Sequence, residues 1–189
     1  LHHTFGDSAM SRLVVNESQA KVGSDIDFKG TTVKGMPGHV LQVLQSTTTD
    51  TTTIGNLATA TILQQAITPS ATTSKILVNV CANLGGDNNV YGYGKVFRDS
   101  TLIGAGAASD SRPQVSFSIM SGLNMNFDYR MAIHNFMFLD SPSTTSSTTY
   151  AVNVTCTSGN IRLNKTTQDG NDTLGVRAMS TITLMEIAG

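Results

Sequence analysis

Alternation of apolar and polar side chains is the feature that most constrains this chain. Two segments show it most clearly, with apolar residues at Ile76, Val78 and Val80 in the first and at Val115, Phe117 and Ile119 in the second. Successive side chains of a β-strand point to opposite faces, so a period of two predicts strands with one buried face. The chain is therefore expected to fold mainly as β-sheet.

The same pattern continues towards the C-terminus. Residues 125–133 alternate strictly, whereas both sets of side chains are apolar in residues 136–139, which predicts deeper burial there. Residues 150–156 form another alternating run, and residues 176–187 are interpreted as one long final strand. In all, about eight or nine strands are expected after Gly38, without a convincing helix.

Turn-forming residues separate these runs. Residues 98–101, Arg-Asp-Ser-Thr, lie between two strand-like segments and predict a hairpin. Residues 56–66 are the one ambiguous stretch, and their threonine content together with the nearby Pro69 favours an extended conformation over a short helix. The predicted fold class is all-β, an antiparallel sandwich of the jelly-roll kind, because crossover helices for a parallel sheet are missing.

The region before Gly38 has a different character. Its β-like bursts at 13–15, 26–28 and 31–33 are separated by glycines and are too short to bury a core. Such segments gain stability by winding against identical chains. We therefore expect residues 1–37 to form a stalk or neck and residues 38–189 to form a β-sandwich head.

The amino-acid composition restricts the classes of function that this chain can have. Charged residues make up only 13% of the chain and the formal net charge is -1, which argues against a nucleic-acid partner. No apolar run of about 18 residues is present, so no membrane insertion is expected. Serine and threonine supply roughly a quarter of the residues, far above average usage. A β-rich structural or binding protein fits this balance better than an enzyme.

Few residues carry a signal for chemistry. Cys81 and Cys156 both lie in alternating stretches, where two buried thiols or a disulfide between neighbouring strands are both compatible with the sequence. No Cys or His spacing typical of a metal site is present, and the acidic residues at 169–172 are interpreted as turn formers and not as a calcium loop. Accordingly, we expect no catalytic residues, no metal and no cofactor.

Two loop groups remain as candidates for binding. The first combines amides with aromatic rings, a mixture suited to sugars, and comprises Asn88, Asn89, Tyr91 and Tyr93. A competing interpretation places both tyrosines on one face of a strand, with Gly92 and Gly94 permitting close packing. The second and weaker group is Asp110 with Arg112.

Four separated segments, taken in order, carry a family resemblance. They are Gly-His-Val-Leu-Gln-Val at 38–43, the stretch 66–78, Phe-Leu-Asp-Ser-Pro-Ser-Thr-Thr at 138–145, and Ser-Thr-Ile-Thr-Leu-Met-Glu-Ile at 180–187. Together they resemble a C-terminal module of tail-fibre and other virion appendage proteins of bacteriophages that infect marine bacteria and cyanobacteria. Residues 11–17 are similar to the β-repeats of phage fibre shafts.

The resemblance implies a homotrimeric fibre tip or knob with a jelly-roll head similar to those of tumour necrosis factor and complement C1q. It implies a virion protein, assembled in the bacterial host cytoplasm, that contacts other virion proteins and attaches to a glycan or protein of the host surface. It carries over no catalytic residue. The alternative is a capsid or tail decoration protein without receptor binding. Surplus apolar residues would be buried between protomers or fill the core, the candidates being Met120, Met125, Met131 and Met137.

Overall fold

The computed structural model describes residues 38–87, 89–121 and 129–189. These residues form eleven strands. The strands are β1 Val40–Thr48, β2 Thr52–Ile54, β3 Thr59–Ile67, β4 Lys75–Gly86, β5 Val90–Arg98, β6 Thr101–Ile103, β7 Phe117–Ser121, β8 Met131–Asp140, β9 Thr148–Ser158, β10 Ile161–Leu163 and β11 Ser180–Ile187. The predicted stalk at 1–37 lies outside the described residues.

The strands pair into two antiparallel sheets. Sheet A has the order β1-β11-β4-β8, and β10 and β2 extend the positions of β11 and β1 beyond their ends. Sheet B has the order β3-β9-β5, and β6 and β7 share the remaining edge of β5. Eleven segments thus occupy eight strand positions, four in each sheet.

This order identifies the topology. Numbered along the chain, the eight positions read 1-8-3-6 in sheet A and 2-7-4-5 in sheet B. Sequential positions therefore alternate between sheets except at the hairpin of β5 and β6, which gives the two nested Greek keys of a jelly roll. The predicted all-β sandwich is confirmed, and the extended reading of residues 56–66 is confirmed by β3.

The core lies between the two sheets. It is made by the inward set of the alternating residues, including Ile76, Val78 and Val80 of β4, Val152 and Val154 of β9, and Ile182 and Leu184 of β11, all fully buried. Each such side chain contributes roughly 1.5–3 kcal/mol when it is removed from water. The period-two pattern is therefore the direct cause of the sandwich.

Two of the strand positions are interrupted by long excursions. The position shared by β6 and β7 is broken at residues 104–116, and that of β10 and β11 at residues 164–179. The prediction of one continuous final strand over 176–187 is consequently wrong at its start, because β11 begins at Ser180. Residues 176–179 belong to the second excursion, where Val176 and Met179 are exposed.

The expectation of deeper burial at residues 136–139 is also wrong. Phe136 is buried against the core, but Met137 and Leu139 are 69% and 46% exposed on the outer side of β8. Apolar residues on both faces of a strand are buried only where both faces are covered, and the described chain covers only the inner face of β8. No helix in the described residues could cross a bilayer.

Candidate binding surface

The two candidate tyrosines lie side by side on the outer face of sheet B. Strand β5 turns Tyr91 and Tyr93 outwards, where Tyr91 is 47% exposed and Tyr93 is half-buried. The Nζ of Lys95, the next outward residue, lies 5.5 Å from the centroid of the Tyr93 ring, which is within cation–π range. One strand thus presents two phenol rings and one ammonium group in a row.

Close packing against the core explains the glycines in the strand sequence Tyr-Gly-Tyr-Gly. Gly92 and Gly94 face the core, where a methyl group on Gly94 would overlap the ring of Phe117 and one on Gly92 would press on Ile161. The geometry therefore fits the packing interpretation, and ligand contact stays a prediction. The tyrosines form one face of a strand, as the packing interpretation required, and that face is accessible to a ligand.

Polar side chains of the neighbouring strands continue this face. The backbone register places Thr155 beside Tyr93 and Asn153 beside Lys95. The Oγ1 atoms of Thr155 and Thr59 are 2.8 Å apart, and the Oγ1 of Thr61 donates to the Oδ1 of Asn153 at 2.8 Å. We call this set of Thr59, Thr61, Tyr91, Tyr93, Lys95, Asn153 and Thr155 the polar face.

Lys95, Asn153 and Thr155 were not anticipated from the sequence. Their alternation with apolar residues indicates only that they face outwards, and it does not say which strands are neighbours. Pairing of β9 with both β3 and β5 joins residues that are far apart in the chain. Lys95 is the only charged side chain on the outward face of the strands of sheet B that the structure describes.

The amide candidates lie at one end of β5. Asn88 lies outside the described residues. Asn89 is an exposed turn residue with φ of 60°, a conformation that asparagine tolerates well. The preceding Asp87 pairs with Arg162 and accepts a hydrogen bond of 2.6 Å from Asn160 Nδ2. Partial burial alone would raise the pKa of Asp87, but these contacts outweigh burial and lower it.

The second candidate group forms a tight turn. Asp110 and Arg112 are exposed at the tip of the excursion 104–116, and Asp110 has φ of 47°. The Nη1 of Arg112 donates to the Oγ of Ser109 at 3.0 Å, and the Arg112 N–H donates to the Ser109 carbonyl at 3.0 Å. These bonds shape the loop tip, which is a separate element from β5.

A buried polar triad joins the two sheets. Asp140 of β8 accepts from Arg98 Nη1 at 2.8 and 2.9 Å and from the Tyr150 hydroxyl at 2.7 Å. Tyr150 is fully buried on β9. Burial, together with the bond to Asp140, raises the pKa of the Tyr150 hydroxyl. Arg98 and Tyr150 belong to sheet B and Asp140 to sheet A, so the triad serves as a cross-link.

A second buried carboxylate has a structural role as well. Glu186 is fully buried on β11 and accepts from the backbone N–H and the Oγ of Ser70 at 2.7 and 2.6 Å, and from Gln42 Nε2 at 2.6 Å. Burial alone would raise the pKa of Glu186, but these donors outweigh it and hold the pKa below its ordinary value. The acid groups inside the sandwich are thus engaged by structural partners.

The structure also decides between the alternatives for the two cysteines and for the acidic turn at residues 169–172. Cys81 and Cys156 are both free, so the disulfide alternative is wrong. Asp169 pairs with Lys165 at 3.3 Å and Arg177 at 2.5 Å, as expected of a turn former. Within the described residues, no cluster of His, Cys, Asp and Glu is arranged to hold a metal ion.

The chain is thus a jelly-roll β-sandwich with one polar, tyrosine-bearing outer face. No family model matches it, and neither does any curated protein. Among solved structures it is similar to the infectious bursal disease virus Gt strain structure, with a TM-score of 0.42 and 12% identity over 88% of this chain. It is also similar to T=1 particles derived from that virus, with a TM-score of 0.43 and 12% identity over 88% of this chain.

The VP2 subviral particle of the same virus is a third similar structure, with a TM-score of 0.40 and 13% identity over 78% of this chain. The match covers 42%, 41% and 37% of those chains in the same order, so this chain spans about two fifths of their length. At this level of similarity, the comparison carries no conclusion about function.

Proposed function

We propose that the chain is a structural protein of a virion, the head of an appendage such as a tail fibre, which assembles as a homotrimer and attaches to the host cell surface. The observation that carries the proposal is the polar face on an all-β jelly roll. Jelly rolls serve both as virion building blocks and as carbohydrate-binding domains. The resemblance of the four sequence segments to phage appendage modules supports the virion assignment.

The polar face suits a surface glycan. Tyr91 and Tyr93 are two residues apart on one face, hence roughly 7 Å apart along the strand, so both rings can stack on one saccharide chain. Asn153, Thr155 and Thr61 supply amide and hydroxyl groups beside them for hydrogen bonds to sugar hydroxyls. Lys95 adds an attraction for glycans that carry carboxylate groups.

Valency completes the proposed mechanism. An exposed strand face of this kind binds a single saccharide weakly, since it encloses less ligand surface than a concave pocket. Once one head of a fibre has bound, the other two heads bind in intramolecular steps, at a high effective concentration. The role is proposed to be non-enzymatic, because the buried carboxylates of Asp140 and Glu186 hold structural donors.

Binding of the fluorescently labelled full chain to arrayed bacterial surface polysaccharides and to whole bacterial cells tests the attachment role. Tyr91→Ala is expected to weaken binding at least about tenfold, which corresponds to a loss of about 1.4 kcal/mol or more. The matched control is Tyr129→Ala, since Tyr129 is a 37% exposed tyrosine that is not part of the polar face. Equal effects of the two changes, or no binding by the wild-type chain, would contradict the attachment role.

The second candidate function is a capsid or tail decoration protein without receptor binding. Immunogold electron microscopy of intact particles separates the two, because an attachment head lies at a free distal tip and a decoration protein lies along the particle surface. Release of new reducing ends from a bound polysaccharide would instead reveal a depolymerase and contradict the non-enzymatic role.

A further inference from the structure

Sheet A carries an apolar row across its outer face. The backbone register places Val43, Met185, Leu77 and Leu139 next to one another on four adjacent strands. Val43 and Leu139, at the two ends of the row, are 54% and 46% exposed, and the other two are half-buried. This outer face is thus the opposite of the polar face on sheet B.

Further apolar residues of strand β8 face outwards beside this row. Met137 and Ile133 point the same way as Leu139 and are 69% and 60% exposed. Among described residues, β8 pairs only with β4, so its other edge is open. Its ten residues contain no lysine, arginine or proline, and its pairing with β4 runs without a bulge. Proteins usually protect an open edge with such devices, and the one charged residue of β8 is the buried Asp140 at its end.

The composition of the face suits contact with an identical surface. The described strands of sheet A turn two charged side chains outwards, Lys75 and Arg162, and Arg162 is neutralised by its ion pair with Asp87. Asp140 and Glu186 are buried on the inner side. Two copies of a nearly uncharged face meet without repulsion between like charges. Gln45, Thr47, Asn79 and Asn135 lie beside the apolar row and supply the polar rim that interfaces normally have.

The size of the face is adequate. Four strands about 4.8 Å apart, each presenting about eight residues at about 3.3 Å, give a projected face of roughly 500 Å². Two copies therefore cover roughly 1,000 Å², which is the lower bound for a specific protein interface. The excursion 164–179 limits the face at one end, where the carbonyl of Lys165 lies against Gly85.

We propose that the outer face of sheet A, centred on Ile133, Met137 and Leu139 of β8, is the surface through which copies of this chain associate. The inference deepens the proposed function and rests on it, since it assigns the surface that is buried between the heads. The occupant is the neighbouring copy of the same chain, so that in the proposed trimer each head contacts the next around the threefold axis. The polar face on sheet B stays exposed in this arrangement, which leaves it available for attachment.

Light scattering on the full chain after size-exclusion chromatography tests this proposal. The wild-type chain is expected to elute at a multiple of its 20.0 kDa mass. The double variant Ile133→Lys, Met137→Lys is expected to raise the dissociation constant at least about 100-fold, because two charges would be buried without partners. Circular dichroism confirms that the variant folds, since both positions are exposed in the single chain.

The matched control is Leu57→Lys, the same type of substitution at a residue that is 79% exposed in the connection between β2 and β3. It is expected to keep the wild-type mass. Cys81 provides an independent readout, because it lies half-buried on the same face beside Asn135. A maleimide reagent is expected to modify Cys81 in the double variant at least about tenfold faster than in the wild-type chain.

Three results would overturn the proposal. They are a wild-type chain that stays monomeric at high concentration, a double variant with unchanged mass, and a monomeric wild-type chain that uses this face for a different virion protein. None of them depends on glycan binding. Loss of attachment with intact association would therefore refute the attachment role alone, and an associated wild-type chain whose mass the double variant keeps would refute this inference alone.

Discussion

Removal of one hydroxyl that lies between the two sheets is expected to weaken the contact between them. The change Tyr150→Phe deletes the donor that lies 2.7 Å from Asp140 Oδ2 and leaves the ring in place. A hydrogen bond to a charged group contributes about 1.5–3 kcal/mol. Asp140 keeps its contacts with Arg98 at 2.8 and 2.9 Å, so we expect a loss at the lower end of that range, about 1.5–2 kcal/mol.

The free energy of unfolding is measured by urea denaturation at one fixed protein concentration, because association couples stability to concentration. A loss of this size corresponds to a fall in Tm of about 3–8 °C for a domain of this length. Tyr91→Phe is the control, since Tyr91 is 47% exposed on the polar face, and its effect is expected to stay within about 0.5 kcal/mol. A Tyr150→Phe variant as stable as this control would refute the cross-linking role of the triad.

Two further outcomes concern packing and pH. Gly94→Ala is expected to cost about 1–3 kcal/mol, because its methyl group overlaps the ring of Phe117, and unchanged stability in the same denaturation assay would show that the ring moves freely. Burial lowers the pKa of His134 from 6.5, although a hydrogen bond to the Ser118 backbone partly opposes it. The folded state therefore favours neutral His134, so its contribution is complete above pH 6.5 and is lost as the pH falls through the lowered pKa. The free energy of unfolding, measured by urea denaturation between pH 5 and pH 7.5, is expected to change less with pH in His134→Asn than in the wild-type chain. An equal pH dependence in the two proteins would contradict the lowered pKa of His134.

Residue periodicity was sufficient to predict the sandwich. Ile76, Val78 and Val80 were placed on one face by their spacing, and all three are fully buried. The hairpin at residues 98–101 was also predictable, since Asp99 tolerates the left-handed conformation that the turn requires, with φ of 49°. Both features are set by residues that are close together in the chain, so the local sequence pattern is sufficient to predict them.

Features set by distant contacts were not predictable. The start of β11 depends on Ser180, whose Oγ accepts from the Asn83 backbone N–H at 2.9 Å and donates to Asn164 Oδ1 at 2.6 Å. Nothing near Val176 in the sequence indicates that the strand has not yet begun. The exposure of Met137 has a related cause, because an apolar pattern does not distinguish burial in the chain's own core from burial against another surface.

The candidate site was predicted in part. Tyr91 and Tyr93 were identified by their type and position, whereas Lys95 and Asn153 joined them only through strand pairing. The glycan-binding and attachment roles of these residues stay predictions. Asp110 and Arg112 were selected as a charged pair in a loop, and the bonds of Arg112 to Ser109 together with the left-handed φ of Asp110 explain them as a turn.

The excursion 164–179 has a practical consequence for engineering. Its two stems are held together by the bond between Asn164 and Ser180, and the side chain of Asn164 also donates to the carbonyls of Thr48 and Asp50 at 2.9 and 3.0 Å. The stems are thus fixed by residues at the two ends of the excursion, whereas residues 168–174 between them are exposed. Because the entropy of closing a loop grows slowly with its length, foreign peptides grafted between the stems would be displayed without a shift in strand register.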